Sequence, residues 1–229
     1  MKLRWVVVVF GVVLLASQLG AQETLTLKTQ KEKLSYIIGM DMGKNLKNQS
    51  VDIDSNILAR GLKDALSGSK SVLTEQEVRD TLSVFQKEMV AKQQAIGEKN
   101  KKEGEAFLAE NKKKKGVTTL PSGLQYKVVK AGTGKKPKPT DTVTVQYQGT
   151  LIDGTEFDSS YRRGQPATFP VNGVIPGWTE ALGLMQEGAK WQLFIPPNLA
   201  YGERGTGSQI GPNATLIFEV ELVSIQEKK

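Results

Sequence analysis

The chain has 229 residues, 24% charged and 38% hydrophobic, with a formal net charge of +7, which suits one large soluble domain or two modest ones. It contains neither cysteine nor histidine. That excludes disulfides, thiolate nucleophiles and Cys-ligated metals, and removes the usual general base near neutral pH and the commonest metal ligand, so any catalysis must work without a triad or zinc. Separately, no metal or other cofactor is expected.

Lys2 and Arg4 precede an apolar run from Trp5 to Ala16, followed by the small or polar residues SQLGAQ. This is the order of charged, apolar and cleavage regions in a secretory signal peptide. The run falls short of the roughly 20 apolar residues that cross a bilayer. Residues 1–21 are therefore read as a signal peptide cleaved near Ala21, with an uncleaved anchor as the alternative. No cysteine follows the run, so a lipidated amino terminus is excluded. The expectation is export, with no transmembrane span in the mature chain. Periplasm, outer-membrane association, cell surface and secretion all stay open.

Composition changes near Gly116: residues 28–115 lack proline, while 116–229 hold all nine. This predicts a helical amino half and a β-rich carboxy domain. Within residues 22–73, Leu34, Ile37, Ile38, Met42 and Leu46 form a stripe of near-helical period, broken by Asp41. Gly39 and Gly43 on the same helix point to close approach of another helix, since glycine costs a helix interior about 1 kcal/mol. Asp54 is a candidate N-cap for a second helix presenting Ile57, Leu58, Leu62, Ala65 and Leu66, which Gly68 stops.

Thr74 and Glu77 form a capping-box pattern that opens a long linking helix over 74–115. Val78, Leu82, Phe85, Met89 and Ile96 give it a heptad-like seam. Beyond Ile96 it reads as charged on every face, hence as a solvated stalk; helical throughout, it would reach about 60 Å. The Lys112–Lys115 run reads as solvated, with a polybasic patch as the alternative; nothing aromatic is interleaved with it, and no nucleic acid is expected. So few helices offer little self-contained core, so a second copy of the chain is expected to complete it as a homodimer. The alternative is that the helices fold back on the carboxy domain.

In residues 116–229, period-2 alternation recurs. TVTVQYQG places Val143, Val145 and Tyr147 on one face; KWQLFIP does so for Trp191, Leu193 and Ile195; TLIFEVELVSI for Leu216, Phe218, Val220 and Leu222. Turn residues at Pro121-Ser122-Gly123, Asp153-Gly154 and Pro196-Pro197-Asn198 separate these strands. WTEALGLM, Trp178 to Met185, reads as one short helix. The fold class is α+β: an all-helical amino-terminal dimerisation region and a long linking helix, then an antiparallel sheet packed around that short helix.

Four segments, VTVQYQGTLIDGTEFDSS, VIPGWTEAL, LAYGERG and PNATLIFEVELVSI, resemble the signatures of the FKBP-type peptidyl-prolyl cis-trans isomerases, in the same order. The resemblance covers about residues 117–227. KLSYIIGMDMGKNLKNQ is similar to the dimerisation region of the macrophage infectivity potentiator branch of exported bacterial FKBPs, and only this likeness raises a role in infection. The resemblance implies a hydrophobic pocket between helix and sheet. Trp178 would be its floor, Tyr147, Phe157, Val174, Ile175 and Phe218 its walls, with Phe169 close by. Tyr201 would aim its hydroxyl at a ligand carbonyl from the rim, with Ile210 nearby. Asp158 would lie at the mouth, hydrogen-bonded to Tyr147 and Arg163. Asp158, Tyr201, Tyr147 and Trp178 are the implied catalytic set.

Each has a plainer reading: a tryptophan at a helix start as core filling, an aspartate after an aromatic as a turn residue, a tyrosine before glycine as a turn aromatic. The sequence also departs from the family. The loop after YG lacks the histidine that many members carry, and Ala167 stands where some have an aromatic, which should open one side of the pocket. The implied activity is X-Pro isomerisation of unfolded or extracellular polypeptides, blocked by the macrolides tacrolimus and rapamycin. The alternatives are a dimeric chaperone or binding module little dependent on turnover, and a charged spacer or adhesin.

Overall fold

Short capping residues punctuate the helical half. The structure is a computed structural model describing residues 25–49 and 51–226; the signal-peptide reading of residues 1–21 lies outside them. It divides into two units, Met1–Lys47 and Asn48–Lys229. In the first but for its last residue, α1 (Gln30–Asn48) opens on reciprocal bonds: Thr29 N donates to Glu32 Oε2 at 2.9 Å and Glu32 N to Thr29 Oγ1 at 3.2 Å. None of its residues is buried. Its apolar stripe lies open, with Leu34 57%, Ile37 54% and Ile38 53% exposed.

In the second unit, α2 (Ser55–Leu66) is capped by Asp54, whose Oδ1 accepts from Asn56 N at 2.8 Å and Ile57 N at 3.2 Å. Gly68 follows its end at φ 70°, a left-handed conformation natural to glycine. The 37-residue α3 (Glu75–Asn111) starts at the Thr74–Glu77 capping box and extends about 55 Å at 1.5 Å per residue. Val78, Leu82 and Phe85 along its first half are exposed.

Two features of α3 differ from the sequence reading. The helix ends at Asn111 rather than 115, and the lysine run turns out of it, with Lys113 N bonded to Glu110 O and Lys114 N to Asn111 O. Nor is its second half solvated on every face, since Gly97, Gly104 and Asn111 are buried. They recur every seven residues, two helical turns, and small residues there admit the neighbouring chain without adding hydrophobicity to the sequence. This second half of α3 lies against the carboxy domain, with Gly97 beside Pro212 and Gly104 beside Thr215.

The strands are β1 (Val117–Thr119), β2 (Gln125–Lys130), β3 (Thr142–Leu151), β4 (Glu156–Ser159), β5 (Ala167–Pro170), β6 (Lys190–Ile195) and β7 (Leu216–Gln226). They form one antiparallel sheet in the order β1-β2-β6-β7-β3-β4, with β5 also paired to β3. The β3–β7 pairing runs from Thr142↔Gln226 to Leu151↔Leu216. The alternation places Val143, Val145, Leu193, Ile195, Leu216, Val220 and Leu222 at 0% exposure. Phe194 breaks the alternation of β6: it is buried too, because Phe107 of α3 covers the opposite face, ring centroids 5.9 Å apart.

Among the described residues, the helix packed on the apolar face is α4 (Pro176–Leu184). It starts two residues before the predicted Trp178 because Pro176 occupies its first turn, where a missing N–H costs nothing. Trp178, Ala181, Leu182 and Met185 are buried against the sheet. Gly177 makes this closeness feasible, since a Cβ there would lie 2.5 Å from Ile195 Cγ2. Among the described residues, no helix is long and apolar enough to cross a membrane.

Candidate functional site

Pro176 fixes the entry into α4, and Trp178 N and Thr179 N then both donate to Ile175 O, at 2.9 and 3.1 Å. This turns the indole onto the sheet. Trp178 is 4% exposed and meets the edges of Tyr147 at 5.2 Å and 89°, Phe218 at 5.2 Å and 83°, and Phe169 at 6.0 Å and 86°. Edge-to-face rings lock one another beyond their area burial. The indole is therefore part of the core and also lines a cavity of about 630 Å³, so the two readings of Trp178 are compatible.

Tyr147, Phe157, Phe169, Val174, Ile175 and Phe218 share that cavity with it. Phe157 reaches it through an irregularity in the β3–β4 pairing: Gly149 faces Asp158 and Thr150 faces Glu156, leaving Phe157 as the extra residue. Such a bulge re-aims a side chain, so the consecutive Phe157 and Asp158 both line the cavity. Phe157 packs on Phe218 at 5.4 Å and 84°. Ala167, opposite Val145 in β5, lines no part of the cavity.

The polar groups gather at one side. Tyr147 OH donates to Asp158 Oδ2 at 2.5 Å, Ser159 N to Asp158 Oδ1 at 2.8 Å, and Arg163 Nη1 to the same oxygen. Arg163 Nη2 donates to the Tyr147 hydroxyl at 2.7 Å, and its guanidinium lies 5.3 Å from the Tyr147 ring centroid. Burial would raise the Asp158 carboxyl, but the bonds from Tyr147 and Arg163 and the arginine's charge outweigh it and hold the group below the ordinary aspartate value. Burial, then the bond to Asp158, raises the Tyr147 phenol. Tyr201, 40% exposed and also lining the cavity, is raised by burial and then by the Asp158 charge. At neutral pH the site thus presents a carboxylate held in place and a protonated phenol above an apolar floor.

A family model described as FKBP-type peptidyl-prolyl cis-trans isomerase matches residues 133–223, and one described as the domain amino terminal to it matches 31–128. The Outer membrane protein MIP of Legionella longbeachae is 51% identical over 231 residues, covering 99% of each chain. The chain belongs to the FKBP-type peptidyl-prolyl cis-trans isomerases. The Peptidyl-prolyl cis-trans isomerase Mip of Coxiella burnetii is 48% identical over 91% of this isomerase and 92% of its own length. The crystal structure of FkpA from Escherichia coli matches with a TM-score of 0.62 and 40% identity, over 88% of this chain and 99% of that one.

The isomerase brings every singled-out residue except Arg163 into the cavity wall, and Arg163 stands behind Asp158 and Tyr147. The sequence reading had not singled out Thr206, Gly207, Ser208 and Gln209, which line the cavity beside Ile210. The available signal was glycine: Gly205 and Gly207 take φ of 65° and 58°, and fold the loop so that Thr206 pairs with Ile210.

Proposed function

We propose that this isomerase takes the prolyl ring of an X-Pro segment into the cavity over Trp178, with Tyr201 and Asp158 meeting the flanking backbone. One observation carries the assignment: an apolar cavity floored by an indole, with a carboxylate pinned by Tyr147 and Arg163 at its edge. Rotation about the X-Pro bond breaks no covalent bond but faces a barrier of about 18–20 kcal/mol from amide resonance, while the two isomers are close in energy. The catalyst therefore only has to lower the barrier. Aromatic walls strip water from the ring and its carbonyl, disfavouring the charge-separated amide form and weakening C–N double-bond character. The protonated Tyr201 hydroxyl donates to a substrate carbonyl and holds the backbone. Asp158 faces the twisting carbonyl from the mouth.

The same apolar cavity is read as the site at which tacrolimus or rapamycin would compete with the substrate. The uncovered stripe of α1 supports a homodimer, since each large apolar side chain removed from water contributes about 1.5–3 kcal/mol. The clients are read as unfolded proline-containing polypeptides. The place of action is read as the periplasm, the outer-membrane surface or beyond.

The test is X-Pro peptide isomerisation by the full-length protein, with tacrolimus or rapamycin as competitor. The wild type should accelerate the reaction and the macrolide should abolish the acceleration. Asp158→Leu should lower kcat/KM about tenfold, equivalent to about 1.4 kcal/mol of transition-state stabilisation. An acceleration that saturating macrolide leaves intact would move the reaction out of this cavity.

A further inference from the structure

The long helix and the pocket meet through one loop. Residues 206–210 line the cavity, and Ile210 is 7% exposed. Thr206 N donates to Ile210 O at 2.8 Å and Ile210 N to Thr206 O at 3.3 Å, while Asn213 N closes the base of the loop on Gly202 O at 2.8 Å. Beyond Ile210 the chain runs along α3. Asn100 Nδ2 donates to Pro212 O at 2.8 Å, and Asn213 Nδ2 to Gly97 O at 3.4 Å. A Cβ on Gly211 would lie 3.2 Å from both Asn100 Nδ2 and Ile96 Cγ2.

The approach needs glycine on the helix as well. A Cβ on Gly97 would lie 3.1 Å from Pro212 Cβ, and one on Gly104 would lie 3.2 Å from Thr215 Cβ. The register is anchored farther on, where Asn111 Nδ2 donates to Gln125 Oε1 at 3.0 Å and Gln125 Nε2 returns to Leu108 O at 2.9 Å. Gly205, Gly207 and Gly211 leave the loop little stiffness of its own, so its position depends on what it rests against.

We infer that the carboxy-terminal half of α3 braces the Ile210 wall of the prolyl pocket, with Asn100 as the positioning residue. The inference rests on reading the cavity as the substrate site. Asn100 lies outside the cavity and acts through Pro212 and Ile210. Releasing the loop should therefore weaken substrate binding and leave the turnover of bound substrate unchanged.

The experiment compares the full-length wild type with Asn100→Ala, Asn100→Gln, Gly104→Leu, Ile210→Ala and the exposed-face control Lys101→Ala. KM, kcat, the melting midpoint and the NMR position of the Ile210 methyls are measured for each. Asn100→Ala should raise KM at least threefold with kcat within twofold, and shift the Ile210 methyls. Asn100→Gln, which keeps the donor, should recover part of the loss, and Gly104→Leu should raise KM if it folds. Lys101→Ala should match the wild type. An Asn100→Ala protein with wild-type KM and unmoved Ile210 methyls overturns the brace, as does a fall in kcat alone that follows the melting midpoint. If Ile210→Ala raises KM while Asn100→Ala does not, the pocket stands and only the brace fails. If Ile210→Ala also leaves KM unchanged, the assignment of that wall fails and the brace fails with it.

Discussion

Tyr147→Phe removes one oxygen and keeps the ring that packs on Trp178, Phe169 and Phe218. That oxygen donates to Asp158 at 2.5 Å and accepts from Arg163 at 2.7 Å. Hydrogen bonds to charged groups contribute about 1.5–3 kcal/mol each, but the partners' side chains are 42% and 44% exposed, so water replaces much of what is lost. Arg163 and Asp158 also remain paired. The net loss of stability should be about 1–2 kcal/mol, a fall of a few degrees in melting midpoint. The larger effect should be on rate: Asp158 keeps its charge but loses the bond that fixes its second oxygen, and kcat/KM should fall about three- to thirtyfold, or 0.7–2 kcal/mol. Peptide isomerisation and calorimetry on the same samples separate the two effects. A variant that melts earlier yet retains kcat/KM within twofold would refute the view that Tyr147 orients Asp158 for catalysis.

The pH dependence follows from the same groups. The carboxyl of Asp158 is held below its ordinary value, so its contribution to stability is complete above about pH 4, the unfolded value, and is lost as pH falls through the lower folded value. The raised phenols of Tyr147 and Tyr201 stay protonated until pH passes about 10, and their contribution is lost only above that. The activity profile of kcat/KM should therefore be flat from about pH 5 to 9, and a titration step inside that range would contradict the assignment. Gly149→Ala places a Cβ 2.6 Å from Phe218 Cε1 and 2.7 Å from Phe157; overpacking of this order costs about 1–3 kcal/mol, measurable by denaturant melts, and should raise KM as the wall shifts. Ile37→Asp on the open face of α1 should convert the proposed homodimer to a monomer in sedimentation while leaving kcat/KM per chain unchanged.

Some of this architecture is local and therefore visible in the residues. Asp54 and the Thr74–Glu77 pair cap their helices because a short oxygen-bearing side chain satisfies a free N–H wherever it stands. β3 and β7 alternate because one face is covered and the other is not. The motif segments drew Tyr147, Asp158, Trp178 and Phe218, which stand on four different elements, into one expected pocket.

What the residues by themselves determined was where the two capped helices α2 and α3 begin and which strand faces are apolar. The tertiary structure alone decided that a helix of charged composition would press its glycines onto Pro212 and Thr215, that Phe194 would be covered on its outer side, and that one indole would be both core and cavity floor. The physical reason is that patterning records hydrophobicity. Burial at Gly97, Gly104 and Asn111 is achieved by closeness and hydrogen bonding, and becomes visible only once the neighbouring chain is in place.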